Sequence, residues 1–413
     1  MKYIDEALNN FNNQKYSESI PLFLKAIDNK EYDAYFYLSL IYLKGLGVEE
    51  SIDKGLDYLF LGDKKDVKEC ISSLGDYYYN GKYVNKDLDK AKSYYERASK
   101  LLEPHAIGMI GLFLYNEEKY SEAIDYFKSG ALYYDTNSMY YMAKCAYEGL
   151  GMEKDYILAF GLFNKIYEYN DSNIEIRKIL ADMYYNGYGI DQDFNKAKEL
   201  YETLDDNESK FNLGLIYKNH LKDYEKAYNL FKQIKSVESQ FEQALMLYNG
   251  LGINENKNDA YFKFYACAMS KYVYSYPFVG DCYYYGYGVK KDYSEAIKWY
   301  ELALSENLKN QYLNIGLSYL KLKKYDEAIN YLEKEEDSVN KFKALGEIYL
   351  KLKKYDLSYN AYLCASAYDD SYSMLQVSKM LKKGKGVEKN KELSSIYYLK
   401  YLKIVAVNDN ENT

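Results

Sequence analysis

Few residues of this sequence have the types and spacing that a phosphate-binding, metal-binding or catalytic site requires. The most suggestive are glycine-rich turns such as "YGYGV" from Tyr285, because glycine-rich loops can hold phosphate groups on their backbone N–H groups. Phosphate-binding loops follow a strand, open a helix and often end in Gly-Lys-Ser or Gly-Lys-Thr. The turns here follow helical patterns, and none has that ending. They therefore indicate helix ends rather than a nucleotide site, and we predict no cofactor.

Metal-ligating residue types are equally scattered. His105 and His220 are the two histidines, and neither has other ligands around it at metal-site spacing. We predict packing or surface roles for both and no metal site. The cysteines are odd in number and show no close pairing, which favours reduced thiols in a cytoplasmic protein. They are Cys70, Cys145, Cys267, Cys282 and Cys364.

Acid–base and nucleophilic catalysis also lack a distinct set of residues. With 62 aspartates and glutamates, no pair of carboxylates can be singled out as a general acid and base. No nucleophile–base motif occurs, and Trp299 lies in a column of predicted core residues rather than in a ligand-stacking motif. We therefore predict no catalytic residues and a protein that is not an enzyme.

Composition narrows the partner classes. The net charge of −8 is spread along 413 residues without a basic block, which argues against nucleic acid as a partner. No run of 18 apolar residues occurs, so we expect no membrane insertion. The acidic N-terminus lacks the apolar run of a signal peptide, which favours a cytoplasmic protein. Only 3 prolines interrupt a composition that is rich in helix formers, so the elements should be helices.

Those helices recur with a period of 30 to 38 residues. A small residue is followed at i+4 by a large apolar one, which places both on one face of a helix, here named helix B. The small anchors of helix B are Ser19, Gly55, Ala91, Ala123, Ala159, Ala197, Ala227, Ala260, Ala296, Ala328, Ser358 and Ser394. A second small residue precedes each anchor, as at Gly75 and Gly280, and marks helix A. The sequence therefore predicts twelve helical hairpins.

Two turn lengths connect the helices of these hairpins. Seven hairpins place their small positions 16 residues apart with a glycine between them, and the other five omit about four residues. The first turn glycine suits the left-handed residue that ends helix A. A Ser, Asp or Asn stands four residues before each anchor of the seven, where its side chain can cap helix B. These residues are Ser51, Asp87, Asp155, Asp193, Asn256, Asp292 and Asn390.

These columns resemble a known repeat family. The seven long-turn hairpins are similar to Sel1-like repeats, and the segment from Gly280 to Ala303 carries the fullest set of matching positions. The short-turn hairpins resemble tetratricopeptide repeats, as at Gly316, Tyr319 and Ala328. The resemblance implies an all-α, right-handed α-solenoid that scaffolds protein or peptide binding. We expect one continuous solenoid over 1–404 and a polar, disordered tail over 405–413.

The resemblance also implies that helix A lines a concave groove, into which the residues just after its small position point. Some of these residues are aspartates, and tyrosines follow three positions later, on the same helix face. Tyrosine is enriched at binding surfaces, so an acidic, tyrosine-lined groove would suit a basic or amphipathic peptide. The candidate partner-binding residues are Asp76, Tyr79, Tyr115, Tyr147, Asp182, Tyr185, Tyr248, Asp281 and Tyr284. The competing interpretation is that the aspartates solvate a surface and that the tyrosines reflect codon bias.

Three hypotheses of function follow. The first is a non-catalytic scaffold or adaptor that holds a protein or peptide on its concave surface. The second is a regulator that senses a ligand or peptide by changing its curvature. The third is an enzyme, which the missing catalytic motifs disfavour. The sequence does not specify the partner or the oligomeric state.

Overall fold

The computed structural model describes residues 2–308 and 310–411, and this part of the chain contains 24 α-helices and no strand. The first twelve are α1 (Lys2–Asn12), α2 (Tyr16–Asp28), α3 (Ala34–Lys44), α4 (Ile52–Asp63), α5 (Lys68–Asn80), α6 (Leu88–Lys100), α7 (Pro104–Asn116), α8 (Tyr120–Ala131), α9 (Thr136–Glu148), α10 (Tyr156–Tyr169), α11 (Ile174–Asn186) and α12 (Phe194–Tyr201). The others are α13 (Asn207–Ile216), α14 (Tyr224–Gln233), α15 (Val237–Asn249), α16 (Lys257–Met269), α17 (Tyr276–Tyr285), α18 (Tyr293–Ser305), α19 (Tyr312–Lys321), α20 (Tyr325–Glu333), α21 (Val339–Lys351), α22 (Tyr355–Ser366), α23 (Ser371–Lys383) and α24 (Lys391–Glu411).

Successive helices pair as hairpins, here numbered 1 to 12, in which odd-numbered helices are helix A and even-numbered ones helix B. Contacts divide the chain into two compact units, Met1–Asp205 and Asp206–Thr413, with hairpins 1 to 6 in the first and 7 to 12 in the second. The all-α hairpin architecture is as predicted, while one continuous solenoid over 1–404 stays a prediction. Helix α24 reaches Glu411, beyond the start of the tail predicted at 405, because extending an existing helix by one residue costs little once it has nucleated. Residues 412 and 413 lie outside the described residues.

The small residue of helix A makes room for the large residue of helix B in the same hairpin. A Cβ added to Gly280 would lie 2.5 Å from the Tyr300 ring, and one added to Gly111 would lie 2.7 Å from the Phe127 ring. Tyr300 is 1% exposed. The ring therefore lies directly on the glycine backbone, and this contact accounts for the column of small residues that the sequence shows.

Both ends of the long turns form as predicted. The first turn glycine is left-handed in all seven, as at Gly187 with φ +72° and Gly286 with φ +82°. All seven predicted caps accept a hydrogen bond from the first turn of helix B, as at Asp87 and Asp292. Each cap satisfies a donor that the helix start leaves unpaired, which stabilises it by about 1 kcal/mol.

Hairpin 7 departs from the other short-turn hairpins in its spacing. Its small positions, Gly214 and Ala227, are 13 residues apart, against 12 at Gly316 and Ala328. The extra residue is accommodated by a π-helical turn, Tyr217–Leu221, at the end of helix A. An inserted residue in a helix is commonly absorbed in this way.

The thiols and the hydropathy of the helices add two observations. All five cysteines are free, and only Cys364 is exposed. Within residues 2–308 and 310–411, no helix combines the length and the apolar character needed to span a bilayer.

Candidate functional site

The three candidate aspartates lie at the edge of the hairpin core, where each accepts a hydrogen bond from a tyrosine of helix B. The pairs are Asp76 with Tyr95 at 2.7 Å, Asp182 with Tyr201 at 2.5 Å, and Asp281 with Tyr300 at 2.7 Å. The tyrosine rings are at most 1% exposed, while the carboxylates are half-buried. The aspartates therefore link the two helices of their own hairpins as well as facing outward.

A sequence signal for these pairs exists in the columns. In hairpins 3, 6, 9 and 11, where an acidic residue follows the small residue of helix A, the large residue of helix B is tyrosine. In the seven other hairpins before the last one, where leucine or Lys144 follows the small residue, the large residue is phenylalanine or leucine. In hairpins 3, 6 and 9 the hydroxyl donates to that carboxylate, as the satisfaction of buried polar groups requires, whereas the buried Tyr362 hydroxyl of hairpin 11 has no hydrogen-bond partner among the described residues.

Burial affects the charge of Asp281. Desolvation raises the pKa of this carboxyl above its usual value, against the opposing effect of the hydrogen bond from Tyr300. The structure thus holds a carboxylate whose charge is poorly solvated. Such a group gains more from a nearby cation than a fully hydrated carboxylate does, because water compensates it less.

The candidate tyrosines are all half-buried and lie in edge-to-face contacts between helices. Tyr79 contacts Phe113 of the next helix A at 5.9 Å between ring centroids, and Tyr147 contacts Tyr156 of its own hairpin at 5.4 Å. The contacts of the others are Tyr115 with Tyr120, Tyr185 with Phe194, Tyr248 with Phe278, and Tyr284 with Tyr293. Each ring therefore has one packed face and one accessible part.

Some tyrosines interact electrostatically with an aspartate of the following hairpin. Burial raises the pKa of Tyr147, and the nearby carboxylate of Asp182 raises it further. In the other unit, burial and Asp281 raise the pKa of Tyr248 in the same way. The predicted pairing at i and i+3 on one helix is thus joined by a pairing between neighbouring hairpins. Among the candidate tyrosines this occurs at Tyr147 in the first unit and at Tyr248 in the second.

His105 is a part of this surface that the sequence analysis treated as an isolated histidine. Its Nε2 lies 2.9 Å from Asp76 Oδ1, and its Nδ1 lies 3.6 Å from Asp135 Oδ1. Asp135 also caps α9 by accepting from the backbone N–H of Ser138 at 2.7 Å. The two aspartates are 29 and 30 residues from His105, about one repeat on either side. A search along the period, rather than for local spacing, would have found them.

These carboxylates raise the pKa of His105 to about 10, with Asp135 the larger cause and Asp76 the second, while burial opposes them. The imidazolium is therefore charged at neutral pH and joins the helix A elements of hairpins 3, 4 and 5. In return, the pKa of Asp135 is lowered, although its burial acts in the opposite direction.

We expect His105 to remain protonated through neutral pH, while His220 titrates below the ordinary value of 6.5, because burial and then Lys222 lower its pKa. The contribution of His105 to stability should be complete below pH 6.5 and lost as the pH rises through about 10. Imidazole proton shifts measured by NMR, assigned with His105→Gln, test this expectation. Titration of both rings below pH 7 would contradict the interaction of His105 with Asp76 and Asp135.

The glycine-rich turns have a packing role that leaves no room for a phosphate group at the second glycine. A Cβ on Gly189 would lie 1.9 Å from the carbonyl oxygen of Tyr156, at the start of helix B in the preceding hairpin. Gly386 approaches Tyr355 in the same way, at 2.1 Å. Among the described residues, no group of three or more His, Cys, Asp or Glu side chains is arranged to hold a metal ion.

Known families match this architecture. The Sel1 repeat family model matches seven segments, which are residues 33–61, 69–101, 136–168, 179–203, 208–234, 237–262 and 371–401. The model described as "Anaphase-promoting complex, cyclosome, subunit 3" matches residues 289–363. Six of the seven segments are predicted long-turn hairpins, and the seventh is hairpin 7 with its π-helical turn. Hairpin 9 lies outside them, and the other match covers the short-turn hairpins 10 and 11.

Individual relatives agree with the family matches. An uncharacterised Sel1-like repeat-containing protein of Schizosaccharomyces pombe is 27% identical over 289 residues, which are 66% of this chain and 39% of the relative. The chain thus spans well under half of that protein. The crystal structure of c5321, a protective antigen of uropathogenic Escherichia coli strains with an SLR fold, has a TM-score of 0.60. It is 20% identical, and the match covers 95% of this chain and 91% of that one. A Sel1 repeat protein from Oxalobacter formigenes has a TM-score of 0.44 and 22% identity, over 56% of this chain and 98% of that one.

Stacked helical hairpins with glycine-ended turns and small-residue columns define an all-α repeat protein, with solved relatives among the helical solenoids. Within that class, the chain contains Sel1 repeats in seven segments and a tetratricopeptide-like stretch over residues 289–363. Repeats of this family generally mediate protein–protein interaction.

Proposed function

We propose that this protein is a non-catalytic scaffold that holds a basic or amphipathic peptide segment of another protein on its helix A surface. The observation that carries the proposal is the set of half-buried helix A carboxylates held by helix B tyrosine hydroxyls, which are Asp76, Asp182 and Asp281. Half-buried tyrosines such as Tyr147 and Tyr248 lie within electrostatic range of two of them. An aromatic ring beside a poorly solvated carboxylate can contact both the stem and the charge of a lysine or arginine.

The hairpin geometry supports a rigid rather than an adaptable surface. The tyrosine hydroxyls of helix B hold the carboxylates in place, and ring contacts hold the tyrosines of helix A. Side chains that are fixed before binding lose little conformational entropy when a partner arrives. The proposal places no catalytic residue, metal or cofactor on this surface.

A variant that removes three negative charges tests the proposal while it keeps the hydrogen bonds between the two helices of each hairpin. In Asp76→Asn/Asp182→Asn/Asp281→Asn, the amide oxygen still accepts from the helix B tyrosine while three negative charges disappear. The probe is a fluorescein-labelled helical peptide of ~15 residues with a leucine stripe flanked by lysines, here named the lysine peptide. We expect its affinity, measured by fluorescence anisotropy, to fall roughly tenfold in this variant.

The matched control, Asp57→Asn/Asp125→Asn/Asp326→Asn, removes the same charge from exposed positions on helix B. We expect it to bind the lysine peptide as the wild type does. If the affinity for the lysine peptide fell equally in the two variants, only the net charge of the protein would matter, and the proposed binding surface would be wrong. Circular dichroism of both variants confirms that the helices are retained.

A further inference from the structure

The last hairpin exposes a position that every other hairpin buries. In hairpins 1 to 11 the large residue of helix B is at most 1% exposed, from Phe23 to Tyr362. The equivalent residue of hairpin 12, Tyr398, is 46% exposed, and its neighbour Leu399 is 64% exposed. A core position of the repeat therefore lies open on α23 and α24.

This open position belongs to a cleft of about 720 Å³ between the two helices. Leu375, Tyr398 and Leu399 supply its apolar part. Ser378 and Ser394 fix the helices relative to each other, because each hydroxyl donates to the backbone carbonyl of the other serine, at 2.8 and 2.9 Å. These hydrogen bonds between α23 and α24 therefore hold the cleft in one shape.

The rim of the cleft is basic. Lys379, Lys382 and Lys391 line it, all three are exposed, and its lining contains no acidic residue. Lys379 stands at the column position where hairpins 3, 6, 9 and 11 have an aspartate or glutamate. The protein has a net charge of −8, but this cleft is positively charged, so a partner that binds here should be negatively charged.

Packing elsewhere in the same unit shows what shape of occupant fits. The large residue of hairpin 11, Tyr362, is covered by the next helix A, which contributes Val377, Met380 and Leu381 to the same apolar cluster. These residues are spaced as one face of an amphipathic helix. A helix with an apolar stripe is therefore the form that covers this position of the repeat.

The opposite end of the repeat array has a different kind of surface. Helix α1 places Glu6 before its small residue Ala7, where the other helix A elements have apolar residues or Gln243, and Glu6 is exposed. Helix α24 instead exposes Tyr398, Leu399 and Leu402, as an interaction surface does.

We propose that the cleft between α23 and α24 binds an amphipathic helix of a partner protein whose apolar stripe is flanked by acidic residues. The stripe would cover Tyr398 and Leu399, and the acidic flanks would meet the three lysines. The cleft lies at hairpin 12, which contributes none of the aspartates or tyrosines of the proposed function, and it has the opposite charge preference.

The test uses the full chain and a glutamate peptide, which has the leucine stripe of the lysine peptide but glutamate flanks. We expect Leu399→Asp and Lys379→Glu/Lys382→Glu/Lys391→Glu each to weaken its binding by roughly tenfold or more. The controls are Leu357→Asp, at a leucine that is 41% exposed on α22, and Lys290→Glu/Lys321→Glu/Lys351→Glu, at exposed lysines of the same unit. Both controls should bind the glutamate peptide like the wild type.

Two outcomes would overturn this proposal. One is binding of the glutamate peptide that is unchanged by both cleft variants. The other is concentration-dependent self-association in sedimentation velocity that Leu399→Asp abolishes, which would assign the cleft to a second copy of the chain. Binding of the lysine peptide is expected to depend on the three aspartates, and binding of the glutamate peptide on the three lysines. Either proposal can therefore fail while the other is still tested.

Discussion

Gly189→Ala is expected to lower the free energy of unfolding by about 3 kcal/mol or more, from two costs at one position. The residue has φ +73°, which an alanine adopts only with strain. The added Cβ would also lie 1.9 Å from the Tyr156 carbonyl oxygen and 2.3 Å from its carbonyl carbon. These are backbone atoms at the start of α10, so relief requires hairpins 5 and 6 to separate. Urea unfolding followed by circular dichroism measures the loss.

The matched control is Gly187→Ala, two residues earlier in the same turn. Gly187 has nearly the same φ of +72°, but the nearest atom to an added Cβ is 3.5 Å away. Only the conformational cost then applies, and we expect a loss of about 1 kcal/mol. Similar losses at the two positions would show that the contact between hairpins does not constrain the second glycine.

The contrast between these two glycines shows what the sequence could and could not predict. The first glycine of each turn has a local cause, a left-handed helix end, and the sequence identified it. The second touches helix B of the preceding hairpin, about 30 residues away. Tyr83 stands at this position in hairpin 3 with φ +66°, and the helix before it begins with Ile52 rather than with a tyrosine. A turn motif read alone contains no information about that neighbour.

The same limit applies to the candidate site. The column of aspartates and the column of tyrosines were visible, because the period of the repeat aligns them. Their partners were not visible, since His105 contacts Asp76 and Asp135 only when hairpins stack. The one-residue excess in hairpin 7 was likewise present in the spacing, but its outcome as a π-helical turn depends on how helix A ends. The turn glycines, helix caps and small-residue columns predicted the hairpins, whereas the side-chain partners at the surface depend on contacts between hairpins.

Tyr300→Phe is expected to destabilise the protein by about 2 kcal/mol, because it removes a hydrogen bond to the half-buried carboxylate of Asp281. The double variant Asp281→Leu/Tyr300→Phe should recover most of that loss, since it copies the leucine and phenylalanine that hairpin 4 has at Leu112 and Phe127. A coupling energy near zero in this double-mutant cycle would contradict the pairing. Trp299, the only tryptophan, adjoins the site and reports its unfolding by fluorescence.

The pH dependence of the same variants separates the hydrogen bond from the charge. Burial raises the folded-state pKa of Asp281 above 3.8. The contribution of the protonated carboxyl to the free energy of unfolding is therefore fully present below pH 3.8 and is lost as the pH rises through the folded-state pKa. The hydrogen bond from Tyr300 lowers this pKa, and its removal therefore costs more at neutral pH than near pH 4. Asp281→Asn retains the acceptor and removes the charge, so at neutral pH it should be at least as stable as the wild type. A loss in Asp281→Asn equal to that in Tyr300→Phe would show that the charge itself stabilises hairpin 9.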